Sequence, residues 1–265
     1  MISRREILAM LGASAVAADG PPRFAAIDHL EFFASDVNAS VQFYARIFGN
    51  TVLKNNRTTR RYLKLGSAYL AIDTGPQIRV DHFCAGIPGF QVADIHSYLA
   101  ARNIEYRDYP SGRDLSVADP DSTRLQLASD NGWNALLNGT AAPEQTRSPE
   151  APVFQPFGIE HILLNVSDQE KAAAFYEKIL GPVRQRDNDR IWFQAGTSRV
   201  GLLKTPPGGK AGVNHFCVLA ARFDYDAAIR QLERAGAKAE KPEVAAAPEF
   251  RDPDGYLVQV MPARS

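Results

Sequence analysis

An internal repeat constrains this chain more than any other feature of its sequence. The residues Ile27-Asp28-His29-Leu30 recur, with conservative changes, as Ile159-Glu160-His161-Ile162, 132 positions later. Further matches follow in the same order at offsets of 132 and then 133 positions: Asp36 and Asp168, Phe43-Tyr44 and Phe175-Tyr176, Gly49 and Gly181, His82-Phe83-Cys84 and His215-Phe216-Cys217, Asp119-Pro120-Asp121 and Asp252-Pro253-Asp254, and Gln126 and Gln259. So many matches with a single one-residue shift indicate a duplicated domain.

The repeat also sets the domain boundaries that we predict. The first domain covers residues 24–135, and the second covers residues 157–265. Residues 136–156 between them are rich in Pro, Ala and Thr and lack periodicity, which is typical of a linker. Each domain contains two half-units, in which a short strand with a histidine is followed by a helix and then by further strands. We therefore predict an α+β fold built from four such half-units.

Helix-terminal signals repeat in the two domains. Asp36 and Asp168 stand where an N-cap is expected, and Gly49 and Gly181 stand where a helix should end. Between each pair the apolar residues follow a helical period. A further amphipathic helix is predicted over residues 225–234.

The first residues resemble an export signal. The pair Arg4-Arg5 precedes a short apolar run, and Ala15-Val16-Ala17 offers the small residues that a signal peptidase requires. We therefore predict a twin-arginine signal over residues 1–18 and a mature protein in the periplasm or outside the cell. The alternative is an N-terminal helix with a chance pair of arginines.

Composition narrows the range of partners. Lys plus Arg and Asp plus Glu number 30 each, so no net positive charge attracts nucleic acid. The mature chain has no apolar stretch long enough to cross a membrane. Cys84 and Cys217 occupy equivalent positions of separate repeats, so we predict two buried thiols rather than a disulfide. The expected partner is a small molecule.

Two groups of residues carry a family resemblance: Asp28-His29, Asp36, Phe43-Tyr44 and Gly49 near the start, and Arg251-Asp252-Pro253-Asp254-Gly255-Tyr256 near the end. In this combination the chain resembles the vicinal-oxygen-chelate superfamily, which contains glyoxalase I, bleomycin-resistance proteins and extradiol dioxygenases. The resemblance covers residues 26–262. It implies two tandem domains, each a cupped mixed sheet made from two paired βαβββ half-units, with a metal ion in the cup.

The resemblance also implies a set of metal ligands. The primary ligands would be His161, His215 and Gln259, and a secondary site would contain His29, His82 and Gln126. The superfamily usually has a carboxylate where both domains have glutamine. A glutamine carbonyl is a weaker, neutral donor, so metal affinity should fall while the attraction of the ion for an anionic substrate should rise. The metal is a divalent transition ion, with Fe, Zn, Ni, Mn and Cu all left open.

Strand alternation predicts different surroundings for the two sites. The histidines of the second domain share their faces mostly with apolar residues, which suits a small-molecule pocket. In the first domain Glu31 and Arg124 fall on the ligand face and are expected to pair and fill the cup, although Glu31 is alternatively an extra ligand. We therefore expect the second domain to be the principal site.

Glu249 raises a separate question. It lies ten residues before Gln259, where extradiol dioxygenases have a tyrosine. Its side chain is either an acid–base catalyst that points into the cup or an exposed loop residue.

These features favour a metal-dependent enzyme with dioxygenase-like chemistry, acting on a small substrate that chelates the ion through two oxygens. One alternative, favoured by the absent carboxylates, is a metal-independent protein that binds or sequesters a small molecule, as bleomycin-resistance proteins do. Another is a glyoxalase-like isomerase or lyase. That class needs a fourth ligand near Asp73 or Lys204, and Lys204 cannot ligate while it is protonated.

Overall fold

The computed structural model describes residues 20–145, 151–187 and 189–263, which form two mixed β-sheets. The strands of the first sheet are β1 (Ala26–Phe33), β2 (Val52–Asn55), β3 (Arg61–Leu65), β4 (Ala68–Asp73), β5 (Val80–Ile87), β6 (Tyr106–Asp108), β7 (Leu115–Ala118), β8 (Arg124–Ser129) and β9 (Ala141–Glu144). The strands of the second sheet are β10 (Pro156–Val166), β11 (Gln185–Asp187), β12 (Arg190–Ala195), β13 (Ser198–Lys204), β14 (Gly212–Ala220), β15 (Lys238–Glu240), β16 (Glu249–Arg251) and β17 (Leu257–Pro262). The described helices are α1 (Val37–Phe48), α2 (Val92–Ala100), α3 (Gly132–Leu137), α4 (Gln169–Leu180) and α5 (Tyr225–Arg234).

The four half-units follow one plan. In the first of them β1 is followed by α1 and then by β2, β3 and β4, and each of the others also has one strand, one helix and three strands. The strand order is β6-β7-β8-β5-β1-β4-β3-β2-β9 in the first sheet and β11-β12-β13-β10-β14-β17-β16-β15 in the second. The leading strands of paired half-units, β1 with β5 and β10 with β14, are antiparallel neighbours. This confirms the predicted α+β fold of four βαβββ half-units in two mixed sheets.

The predicted helix ends are also confirmed. The carboxylate of Asp36 accepts a backbone hydrogen bond at the start of α1, and that of Asp168 accepts two at the start of α4. Gly49 and Gly181 end these helices with φ of 105° and 90°, a region that residues with a side chain rarely adopt. Helix α5 has the predicted bounds.

The segment between the repeats has more structure than the predicted linker over residues 136–156. Strand β9 pairs with β2 at the edge of the first sheet. It tolerates Pro143 because an edge strand leaves part of its N–H groups outside the ladder. Ala141 is buried beside Tyr69 in a small apolar cluster, and Trp133 of α3 packs against the same cluster. The gain in burial thus draws the start of this segment onto the first domain.

Reciprocal hydrogen bonds join the two domains. The hydroxyl of Tyr44 on α1 donates to Asp252 of the second domain at 2.9 Å, and the hydroxyl of Tyr176 on α4 donates to Asp119 of the first domain at 3.0 Å. All four side chains are buried. The Phe-Tyr motif of each domain therefore contacts the Asp-Pro-Asp motif of the other. Such reciprocal contacts are typical of a two-fold symmetric interface.

Two glycine turns bring the domains into close backbone contact. At the first turn the backbone N–H of Ser67 donates to the carbonyl of Phe157 at 2.9 Å. The preceding Gly66 has φ of 64°, and a Cβ there would lie 2.3 Å from the Phe157 carbonyl carbon. Gly196 repeats this arrangement, since its Cβ would lie 2.0 Å from the carbonyl oxygen of Ala25. Only glycine fits these two positions.

One continuous apolar core includes residues of both domains. Phe43 of α1, in the first domain, packs against Phe250 of β16, in the second, with ring centroids 6.1 Å apart. The two domains therefore share the apolar surface that they bury, and the hydrophobic effect favours their association.

Three further expectations concern the chain as a whole. Cys84 and Cys217 are free and buried, as predicted. Among the described helices, none is both long enough and apolar enough to span a membrane. The export signal predicted over residues 1–18 lies outside the described residues.

Candidate metal centres

The two histidines predicted as ligands in the second domain face each other on neighbouring strands. His161 lies on β10, and His215 lies on the antiparallel strand β14. Their Nε2 atoms are 2.9 Å apart, and both side chains are buried. The strand pairing thus brings together two residues that are far apart in sequence.

A β-bulge sets the partner of each ring. Two of the irregularities in the β10–β14 register fall at Glu160 and at Asn214, the residues that precede the two histidines. A bulge re-aims the side chains around it, so each of these residues can reach the ring of the next residue. Glu160 contacts Nδ1 of His161, and Oδ1 of Asn214 lies 2.8 Å from Nδ1 of His215.

These partners determine which nitrogen of each ring carries the proton. A carboxylate and an amide oxygen only accept hydrogen bonds, so Nδ1 of each ring carries a proton and Nε2 is the nitrogen that remains for an ion. Burial, with His161 and Arg190 nearby, lowers the pKa of His215 to about 3, so that ring stays neutral at physiological pH. When both rings are neutral, two lone pairs face each other at 2.9 Å, and a cation between them would bind to both nitrogens.

The geometry fits a divalent transition ion. Imidazole nitrogens bind such ions at about 2.0–2.1 Å, so two ligands at nearly a right angle are about 3 Å apart. The observed separation of the two Nε2 atoms is 2.9 Å. Burial would raise the pKa of Glu160, but hydrogen bonds from His161 and Arg199 lower it to about 2. An ionised carboxylate at Nδ1 is the usual partner of a metal-bound histidine, because it orients the ring and raises its basicity.

Gln259 on β17 offers a carbonyl oxygen next to this pair. In the sheet it lies beside Cys217, which in turn lies beside His161. Its amide group donates to Oε1 of Glu249 at 2.8 Å, and the residue is 2% exposed. Since the NH₂ group is already bonded, the carbonyl oxygen is the atom left to act as a metal ligand.

Glu249 is buried, so its interpretation as an exposed loop residue is wrong. It begins β16 and pairs directly with Gln259. Its Oε1 also accepts the backbone N–H of Glu243 at 3.0 Å. Strand pairing thus turns the side chain inward, where its observed contact holds the amide of Gln259. Its action as an acid–base catalyst stays a prediction.

The first domain repeats the arrangement. The Nε2 atoms of His29 and His82 are 3.3 Å apart. Bulges at Asp28 and Asp81 bring their carboxylates to 2.8 and 2.9 Å from the two Nδ1 atoms. The amide group of Gln126 donates to a neighbouring carboxylate at 3.1 Å. Both predicted triads therefore have an acceptor at each Nδ1 and a carboxylate that orients the glutamine.

The ion pair expected between Glu31 and Arg124 does not form. Glu31 pairs with Arg60 at 2.7 Å, and Arg124 instead contacts Asp81. The reason is the register of the sheet, in which His82 pairs with Glu31 on one side and with Arg124 on the other. The imidazole of His82 separates the two charged side chains, so the prediction that they pair and fill the first cup is wrong.

The surroundings of the second site contain an aromatic side chain that sequence reasoning missed. Trp192 of β12 meets His161 edge-on, with ring centroids 5.3 Å apart. Its indole lies against Gly201 on the neighbouring strand β13, where a Cβ would be 2.6 Å from the ring. The guanidinium of Arg199 lies 4.6 Å from the centre of the same indole. A tryptophan in a strand run was visible in the sequence, but its position beside the ligand strands was not.

Comparison with known families agrees with this fold. A family model described as the Glyoxalase/Bleomycin resistance protein/Dioxygenase superfamily matches residues 158–260. The second domain therefore belongs to that superfamily, and the two sheets are consistent with tandem domains of this type. A search of curated protein sequences gives no significant match.

Solved structures share the fold over most of the chain. A catechol 2,3-dioxygenase has a TM-score of 0.66 at 14% identity, over 92% of this chain and 90% of that one. The 2,3-dioxygenase LapB from Pseudomonas sp. KL28 has a TM-score of 0.68 at 13% identity, over 94% of each chain. The Mn(II)-bound glyoxalase from Novosphingobium aromaticivorans has a TM-score of 0.66 at 16% identity, over 90% of this chain and 82% of that one. At these identities the likeness establishes the fold.

Proposed function

We propose that this protein is a metal-dependent enzyme with dioxygenase-like chemistry, which acts on a small substrate that has two neighbouring oxygen atoms. The proposed ligands of the ion are His161, His215 and Gln259. The proposal is based on two buried Nε2 atoms 2.9 Å apart, while an acceptor next to Nδ1 of each ring leaves Nε2 as the nitrogen that can bind an ion. The tandem fold shared with catechol dioxygenases supports the reaction class.

The ligand set leaves a bound ion with its full charge. All three donors are neutral, so a divalent ion would strongly attract and polarise the two substrate oxygens. Fe, Zn, Ni, Mn and Cu all accept imidazole ligands. Trp192 and Leu163 border the ligands with buried apolar surface, which excludes water and so strengthens the attraction between an ion and an anionic oxygen.

Glu249 has two proposed roles that one pair of variants separates. It holds Gln259, and we propose that it also accepts the proton that a substrate hydroxyl releases. Glu249→Gln keeps an acceptor for the amide of Gln259 but removes the base, whereas Glu249→Ala removes both. We expect the first variant to bind metal normally and lose turnover, and the second to lose both. Normal turnover in Glu249→Gln would exclude the catalytic role.

Metal content and oxygen uptake test the proposal together. The wild type, grown with each candidate metal, should contain bound ion and consume oxygen with one of a panel of catechol-type substrates. His161→Ala should lose the second-domain ion and the turnover, whereas the control His96→Ala, outside both cups, should keep them. A metal-free protein that binds a small molecule equally well with and without His161 would favour sequestration and contradict the enzyme.

The choice of domain has its own test. Paired alanine substitutions at His161 and His215 should reduce turnover much more than the matched pair at His29 and His82. Equal losses would mean that both cups catalyse the reaction. A greater loss from the first-domain pair would place the activity there.

A further inference from the structure

A buried carbonyl oxygen without a partner marks the cup of the first domain. Gln126 is 7% exposed, and its amide group donates to Asp114 at 3.1 Å. Its Oε1 is buried and has no hydrogen-bond partner among the described residues. A cation bound in the cup would supply the interaction that this buried acceptor lacks.

Glu31 supplies this cup with a carboxylate. It lies two residues after His29 on β1 and directly opposite His82 on β5, and it is 4% exposed. A carboxylate oxygen of Glu31 and a ring nitrogen of His82 lie within 4.8 Å of each other. The ion pair of Glu31 with Arg60 uses only Oε1, so the second carboxylate oxygen is available as a donor.

The second domain has no such carboxylate. The residue opposite His215 is Leu163, at the position equivalent to Glu31. The first cup therefore has, opposite its second histidine, a carboxylate that the second cup lacks.

We propose that the first domain holds a second metal site, formed by His29, His82, Gln126 and Glu31, which binds a divalent transition ion more tightly than the second domain does. Two imidazoles and a carboxylate are a common open donor set for such ions, and a charged oxygen binds them better than an amide alone. This site is separate from the site proposed for catalysis. Arg60 competes with the ion for Glu31, so its removal should strengthen binding.

Calorimetric titration of chelator-treated protein with Mn²⁺ and then Zn²⁺, with ions counted by native mass spectrometry, tests this proposal. We expect two ions per chain of unequal affinity. Glu31→Gln should weaken the tighter one at least roughly tenfold. Arg60→Gln should tighten it, whereas simple loss of folding would weaken it. The matched control Glu160→Gln, in the second domain, should leave it unchanged.

The outcomes also separate this proposal from the proposed function. A variant with alanine at His161 and His215 should lose the weaker ion and keep the tighter one. Retention of the tight ion by a variant with alanine at His29 and His82, or equal affinity in wild type and Glu31→Gln, would overturn the first-domain site. Loss of the tight ion from the second-domain variant would overturn it as well. Binding of a single ion that depends on His29 would contradict only the proposed second-domain metal.

Discussion

Replacing Tyr44 with phenylalanine tests how the repeated motifs hold the two domains together. The change removes one hydroxyl and leaves Asp252 buried, with backbone hydrogen bonds from Asp254 and Tyr256 as its remaining partners. Loss of a hydrogen bond to a buried charged group costs about 1.5–3 kcal/mol of unfolding free energy. For a chain of this size the corresponding fall in Tm is roughly 3–12 °C.

The size of this loss should depend on pH. Burial raises the pKa of Asp252 to about 6, although the hydrogen bonds from Tyr44 and the backbone oppose the rise. Because the unfolded value is about 3.9, protonated Asp252 favours the folded state. That contribution is fully present below about pH 4 and is lost as the pH rises through about 6. Above this range the ionised carboxylate depends on Tyr44, so the substitution should cost more at about pH 8 than at about pH 5.

Two further variants serve as controls. Tyr176→Phe removes the matching bond to Asp119 and should cost a similar amount. Tyr98→Phe removes an interdomain bond to the backbone carbonyl of Lys178, a neutral acceptor, and should cost about 0.5–1.5 kcal/mol with little pH dependence. Urea unfolding followed by circular dichroism at several pH values measures all three. Equal, pH-independent losses in Tyr44→Phe and Tyr98→Phe would refute the reasoning.

Three shorter predictions concern the metal, the interface and export. Gln259→Glu adds a charged oxygen donor and should raise metal affinity at least roughly tenfold in a calorimetric titration, and an unchanged affinity would show that residue 259 is not a ligand. Gly66→Ala forces a Cβ against a neighbouring backbone and should cost about 2 kcal/mol or more, whereas the control Gly89→Ala, with a similar φ in open space, should cost less. We propose export by the twin-arginine route, so lysine at both Arg4 and Arg5 should keep the protein in the cytoplasm, while N-terminal sequencing of the exported wild type should begin near residue 18.

The fold was predictable because its signals are local and repeated. An N-capping aspartate, a helical apolar stripe and a terminal glycine recur at equal offsets, as in Asp36 with Gly49 and Asp168 with Gly181. Each signal acts within about one helix or strand, so a single sequence is enough to read it. The histidine positions followed from the same repeat.

The partners of the histidines could not be derived in this way. Regular strands place consecutive side chains on opposite faces, which hides the acidic or amide residue that precedes each histidine. The bulges at Asp28, Asp81, Glu160 and Asn214 break that rule, and a bulge depends on the pairing of two strands rather than on one segment. The signal that the sequence offered for these partners was the acidic or amide residue directly before each histidine, in the doublets Asp-His, Glu-His and Asn-His.

Contacts between distant segments were missed for a related reason. Tyr44 on α1 and Asp252 are far apart in sequence, and no local signal indicated that they meet across the domain interface. Likewise, strand alternation predicted Glu31 and Arg124 on one face, but in the structure Glu31 forms its ion pair with the long side chain of Arg60. Partner choice by long charged side chains depends on the assembled sheet.

Anomalous diffraction tests most directly whether the paired imidazoles hold a metal ion. Crystals of the wild type, soaked in Zn²⁺ and measured at the zinc absorption edge, should show an anomalous peak about 2.1 Å from the Nε2 atoms of both His161 and His215, with the carbonyl oxygen of Gln259 also within coordination distance. A fully soaked crystal with no peak between these rings, and with the two Nε2 atoms still 2.9 Å apart, would contradict the account.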